Sequence, residues 1–260
     1  MKRLLVVLFV TVISLPLAAN LAGVDGADPG AENRELAAFP RLDGTLASIA
    51  ALPAGFSAWF DDHFAFRSRL VRWYGESRLL ILGTSPSAAV VKGEHGWFFY
   101  GDDKSIEDYA NVEPMTDAAL ANWRAAILRA RDWLSARNIA YVFTIAPDKY
   151  VIYPEEMPPT LTRVGDLSRA DQLFTAVQDA ALAVDVRAAE FDAKARERVY
   201  QRTDTHWNDR GALPAYQQII RAVRLRVPAT PPVWVRDDFI ASDRTVEGLD
   251  LAGMMGLTRV

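Results

Sequence analysis

Asn138-Ile139-Ala140-Tyr141-Val142-Phe143-Thr144-Ile145-Ala146-Pro147-Asp148-Lys149 decides the fold. Ile139 to Ile145 is a near-continuous apolar run, which predicts a strand buried on both faces, as in a parallel sheet. Upstream, Thr116 and Asp117 form a helix start, and Leu120, Trp123, Ile127 and Leu134 recur on one face until Asn138 ends the helix. Downstream, the pattern predicts a helix over Ser168 to Ala181, a short strand over Ala183 to Val186 and a helical stretch over Ala188 to Arg196. Tyr200 to Thr203 then leads into Asp204. A last helix covers Asp209 to Arg224, with Leu213, Tyr216, Ile219, Ile220 and Val223 on one face. Helices alternating with strands in this way predict an α/β fold with a parallel sheet flanked by helices. Ligands in such folds sit at the carboxyl ends of strands. Two polar clusters fall there, Pro147-Asp148-Lys149 and Asp204-Thr205-His206.

Farther upstream, residues Pro53 to Leu82 read as helical, with Phe56, Trp59, Phe60, His63 and Phe64 at three- and four-residue spacing and Leu70, Trp73, Tyr74 and Leu80 continuing the stripe. Gly83 and Pro86 stop it. Ala88 to Val91 and Trp97 to Tyr100 flank Lys92-Gly93-Glu94-His95-Gly96 and read as a hairpin. Gly23 to Gly30 reads as a linker. At the N-terminus, Lys2 and Arg3 precede the uncharged apolar run Leu4 to Leu17, and the small residues Ala18, Ala19 and Ala22 follow. The segment reads as a cleaved signal peptide or an uncleaved membrane anchor. Either way, the basic start keeps that end in the cytoplasm and the rest in the periplasm. The expected division is 1–23 signal or anchor, 24–112 linker and helical/hairpin region, and 113–260 the α/β domain.

Half of the 260 residues are apolar and 24% are charged, an ordinary globular composition. The net charge of −4 and pI near 5.5 give no general attraction to nucleic acid, so no nucleic-acid partner is expected. With no cysteine, thiol catalysis and disulfides are excluded.

Asp204 and His206 stand two residues apart, so in an irregular or extended segment they point the same way. A carboxylate there can hold one imidazole nitrogen while the other takes a proton, making His206 a general base and Asp204 its orienting partner. On spacing alone, a surface loop with a satisfied histidine fits as well; the position between a strand and a helix favours the functional reading. Both residue types also ligate zinc. The only other histidines, His63 and His95, lack a surrounding cluster, so no metal site is expected. Acyl transfer also needs a nucleophile. No Gly-x-Ser-x-Gly occurs, and Gly83-Thr84-Ser85 offers Ser85, which reads more readily as a Ser-Pro turn joining a helix to a hairpin.

From about Glu32 onward the sequence resembles the alginate O-acetyltransferase family, the AlgX/AlgJ-type SGNH-hydrolase-like proteins. The matching stretches are Glu32-Asn33-Arg34, His63-Phe64-Ala65-Phe66-Arg67, Lys92 to Tyr100, Ala146-Pro147-Asp148-Lys149 with Ile152-Tyr153-Pro154-Glu155, and Asp204-Thr205-His206-Trp207 followed by Gly211. The resemblance implies an SGNH-hydrolase-like fold with no cofactor. It implies that a serine takes an acetyl group from a membrane-bound O-acyltransferase and passes it to a hydroxyl of an exported polysaccharide, alongside other exopolysaccharide export proteins. Asp204 and His206 match the family's Asp-x-His pair, and Lys149 and Tyr153 match positions near the site. The family's serine follows that pair in a Gly-Asp-Ser-like turn. Here only Ser242 follows, in Ala241-Ser242-Asp243-Arg244. The expectation is a fragment that stops before the serine, with loss of catalysis or substitution by Ser85 as the other readings. A non-catalytic assembly module and a carbohydrate acetylesterase are the alternatives in function.

Overall fold

The computed structural model describes residues 2–24, 35–179 and 182–257. Glu32-Asn33-Arg34, most of the expected linker and Ala181 lie outside the described residues. The chain divides into two compact units, residues 1–87 with 247–260 and residues 88–246.

In the first unit, α1 (Lys2–Leu21) is long and apolar enough to cross a membrane, and its Leu and Val side chains are exposed. The single helical stretch expected over residues 53–82 is two helices, α2 (Leu46–His63) and α3 (Arg67–Leu80). Thr45 caps α2 through its hydroxyl, which accepts from the Ser48 N–H at 3.2 Å, so the helix starts earlier than the aromatic stripe does. Phe66 adopts φ 69°, a left-handed conformation that ends one helix and starts the next. The stripe survives as a ladder of rings running Phe56, Phe60, Phe64, with Trp59 stacked on His63 at 5.2 Å. Gly75 of α3 lies so close to the final helical turn, Asp250–Met254, that a Cβ would stand 2.7 Å from the Met255 carbonyl.

The second unit opens on the expected hairpin. β1 (Val90–Lys92) pairs antiparallel with β2 (Phe98–Tyr100), Val91 opposite Phe99, and His95 (φ 50°) and Gly96 (φ 79°) make the turn. After the short α4 (Ser105–Ala110), α5 (Asp117–Ser135) begins at a Thr116 cap. The strand of the opening stretch is β3 (Val142–Thr144), shorter than the apolar run. It runs parallel to β4 (Leu182–Val184) with Phe143 opposite Ala183. Between these strands come the single turn α6 (Lys149–Ile152) and α7 (Arg169–Val177), whose Ser168 and Asp171 form a capping box. Then follow α8 (Arg187–Lys194) and α9 (Asp209–Arg226).

Helices cover both faces of the β3–β4 pair, and the period-two rule assigns the side chains. Tyr141, Phe143, Ile145 and Ala183 pack with Ile127 of α5 and Leu173 and Val177 of α7. Val142 and Val184 pack on the other face with Ala215, Ile219 and Ala222 of α9. This is the layered parallel α/β arrangement the sequence predicts. The strand is less buried than expected, however: Val142 and Phe143 are half-buried and Thr144 is exposed. Only one neighbour strand is paired to it among the described residues, so its second edge lacks the cover that a central strand has.

Candidate active site

Tyr200 and Trp207 form an isolated antiparallel bridge, and the Asn208 N–H donates to the Val199 carbonyl at 2.9 Å. Residues 201–206 are thereby pinched into a loop standing directly before α9. Asn208 secures its exit. Its side-chain oxygen accepts from the Arg210 and Gly211 N–H groups at 3.0 and 3.1 Å, satisfying two of the first-turn donors of α9. Its side-chain nitrogen donates to the Arg198 carbonyl at 2.7 Å, on the other arm of the loop. Gly211 must be a glycine, because a Cβ there would stand 2.5 Å from the Val199 carbonyl oxygen.

Within the loop, one oxygen of Asp204 performs two tasks. Oδ1 accepts from the backbone N–H of His206 at 2.9 Å and from its Nδ1, also at 2.9 Å. The first contact is the local turn that aspartate makes with the residue two positions on. The second fixes the ring and assigns the hydrogen to Nδ1, since an ionised carboxylate only accepts. The Thr205 hydroxyl lies 3.1 Å from the same nitrogen. Nε2 is then the basic nitrogen. The imidazole is 77% exposed and Asp204 23%, so the orienting carboxylate is the more sheltered of the two.

Lys149 holds the loop from beneath. Only 4% exposed, its ammonium donates to the carbonyls of Gln201 (3.0 Å), Arg202 (3.0 Å) and Asp204 (2.7 Å). Three donors meet three acceptors, which offsets the cost of burying a cation here. The rings of Trp97 and Phe99 lie 5.3 and 5.2 Å from Nζ and add their faces to its stabilisation. The Phe98 N–H donates to the Arg202 carbonyl at 3.0 Å, so the hairpin also braces the loop. Tyr153 acts one layer deeper. Its ring packs on Trp97 at 4.2 Å and its hydroxyl accepts from the Val199 N–H at 3.1 Å, while burial pushes its phenol pKa up.

The neighbouring Asp148 faces a different set of groups. The Tyr150 hydroxyl stands 2.9 Å from both Asp108 Oδ2 and Asp148 Oδ2. One phenolic hydrogen serves only one carboxylate, so the second contact calls for a protonated carboxyl. Desolvation raises the Asp148 carboxyl above the usual range, against the lowering effect of the Tyr150 hydrogen bond. Asp108 and Asp148 edge a cleft of about 560 Å³ at the carboxyl end of β3, between the first turns of α5 and α7.

Ser85 belongs to the first unit. Its hydroxyl donates to the Ser87 carbonyl at 2.8 Å and accepts from the Ser87 N–H at 3.3 Å, a turn closed on itself. Of the other histidines, His63 bonds the Trp59 carbonyl at 2.8 Å and His95 bonds Glu156 at 2.9 Å.

One buried group behind the loop has no clear signal in the sequence. Glu190 on α8 is 0% exposed, and neither carboxyl oxygen has a hydrogen-bond partner among the described residues. It lies against Gly211, and burial pushes its pKa up to about 8. A charged residue on the inner face of an amphipathic helix could have been noticed only after the face was known.

Comparison with known proteins bears on this arrangement. The family described as "SGNH hydrolase-like domain, acetyltransferase AlgX" matches residues 90–258. A probable alginate O-acetylase AlgJ from Azotobacter vinelandii is 26% identical over 196 residues, 72% of this chain and 47% of that protein. One from Pseudomonas putida is 33% identical over 139 residues, 52% of this chain and 34% of that protein. The chain thus spans about half or less of the length of these relatives. Among solved structures, the O-acetyltransferase domain of Pseudomonas putida AlgJ aligns with a TM-score of 0.41 at 27% identity, over 55% of this chain and 50% of that one.

Proposed function

This chain belongs to the family of SGNH hydrolase-like AlgX acetyltransferase domains, and from that premise we propose that it serves acetyl transfer to the hydroxyls of an exported polysaccharide, with His206 as the general base. The observation that carries the reading is the Asp204–His206 pair at 2.9 Å on a loop braced by Lys149. Its relatives are named as probable alginate O-acetylases, which makes a polysaccharide hydroxyl the acceptor of choice. In the proposed step Nε2 of His206 takes the proton of an attacking hydroxyl as its oxygen bonds the acetyl carbonyl carbon. Asp204 stabilises the resulting imidazolium. As the bond from the acetyl carbon to its carrier oxygen breaks, His206 returns the proton to that oxygen. The carrier is a serine acylated by a membrane-bound acetyl supplier. The apolar helix α1, a signal or an anchor, supports a location at or beyond the inner membrane, and in this reading residues 35 onward work in the periplasm beside other export proteins.

The test supplies p-nitrophenyl acetate and a mannuronate oligosaccharide to the full chain and follows acetylated sugar by mass spectrometry. Transfer by the wild type, lost in His206→Ala, supports the reading. Peptide mapping of the trapped acetyl group names the serine. Equal transfer by wild type and His206→Ala refutes the role of His206. Acetate release without sugar acetylation makes the chain an esterase.

A further inference from the structure

The loop of His206 runs straight into α9, and the first turns of α9 form one wall of a second cleft, about 490 Å³ in volume. The opposite wall is the extended stretch after α9. This size lies within the range of small-ligand pockets, roughly 300–1,000 Å³. Three rings form a connected set inside it. Tyr216 and Trp234 stand 5.9 Å apart, and Trp234 and Phe239 stand 5.7 Å apart. Aromatic rings this size usually account for themselves by burial, yet Trp234 is 58% exposed. Its backbone is tied to α9: the backbone N–H donates to the Tyr216 hydroxyl at 3.4 Å and the backbone carbonyl accepts from Gln217 Nε2 at 2.9 Å. The indole itself rests between the Tyr216 and Phe239 rings and offers an exposed flat face to a ligand.

Planar polar groups line the same cleft. Asp209 and Arg236 line the cleft, both exposed and neither in an ion pair or side-chain hydrogen bond among the described residues. Arg210, by contrast, is tied to Glu197 and Asp243 and serves as structure. Carboxylates and guanidinium groups read pairs of adjacent hydroxyls by paired hydrogen bonds. The C–H face of a pyranose meets the negative face of an aromatic ring.

We infer that this cleft is a saccharide subsite in which Trp234 stacks a pyranose ring of the acceptor polymer and Asp209 and Arg236 bind its hydroxyl or carboxylate groups. The inference rests on the polysaccharide reading above and adds the place at which the polymer is gripped. Asp209 is three residues beyond His206, so the cleft begins at the same loop-to-helix junction as the base.

The full chain in detergent is titrated with a mannuronate hexamer and with cellohexaose, followed by tryptophan fluorescence and saturation-transfer NMR. Binding of either sugar that Trp234→Leu weakens roughly tenfold or more, and Trp234→Phe keeps within about threefold, supports the inference. Leucine retains apolar bulk, so its failure alongside the success of phenylalanine marks stacking rather than folding. Equal binding by the wild type and Trp234→Leu overturns the subsite, as does failure of the wild type to bind either sugar. His206→Ala separates the two claims. Trp234-dependent binding together with transfer that survives His206→Ala sinks the role of His206 alone. Transfer that requires His206, with binding indifferent to Trp234, sinks the subsite alone.

Discussion

Replacing Glu190 by glutamine should make the protein more stable at neutral pH and flatten its dependence on pH. The carboxyl is fully buried, without a partner, and its pKa is pushed from 4.5 to about 8 by burial. A folded value above the unfolded one means that the native state binds the proton more tightly between them, so stability is full below about pH 4.5 and falls as pH rises toward 8. Each unit of separation corresponds to about 1.4 kcal/mol, so ionisable Glu190 costs about 3 kcal/mol at pH 7 and about 5 kcal/mol above pH 8. Glutamine keeps the shape and cannot ionise. Urea unfolding of the full chain in detergent, read by tryptophan fluorescence at pH 5, 6, 7 and 8, gives the difference between the two proteins. It should widen by about 3 to 4 kcal/mol from pH 5 to pH 8, with unchanged m-values. Other titrating groups shift both curves together and drop out. Parallel curves would show that Glu190 finds a partner in solution, and the reasoning from its burial would be wrong.

Lys149→Met retains the stem between Trp97 and Phe99 and strands three carbonyls; it should cost roughly 3 kcal/mol in unfolding and lower kcat for acetyl transfer as the loop loosens. Asp204→Asn should leave the fold intact and cut transfer on the order of 10²- to 10⁴-fold, because an amide that donates to the ring imposes the wrong tautomer; a loss below tenfold would remove Asp204 from the mechanism. Gly211→Ala places a methyl against the Val199 carbonyl, so unfolding should become easier by about 1–3 kcal/mol.

The helices flanking the sheet were legible because each carries both a cap and a stripe. Thr116 opens α5 and Ser168 opens α7, and Ile127 of the one and Leu173 and Val177 of the other pack on β3 and β4, whereas Trp123 of the expected stripe is exposed. The extent of β3 was not legible. Residues 139–145 are apolar throughout, but strand character requires a partner to hydrogen-bond, and β4 offers three residues. The break between α2 and α3 was hidden for a related reason. An aromatic stripe at three- and four-residue spacing continues smoothly through Phe64, while the turn is made by the backbone of Phe66, a residue type with no preference for that conformation.

In the site, spacing carried most of what could be read. Two residues of separation is the distance at which an aspartate reaches the backbone N–H ahead of it, so the turn that shapes the loop and the bond that orients the ring come from the same oxygen. That economy has a consequence. An aspartate in a bare turn would sample other rotamers and release the imidazole, so the pair orients the ring only while the loop backbone is held. Lys149 holds three of its carbonyls from 52 to 55 positions away, and Tyr153 holds Val199 from 46. No local pattern reports contacts over such separations. Long-range support of this kind explains why His206 can be exposed and still ordered. In the proposed function the base meets a polymer too large to enter a closed pocket, so precision has to come from beneath the loop, through buried groups that never touch the substrate.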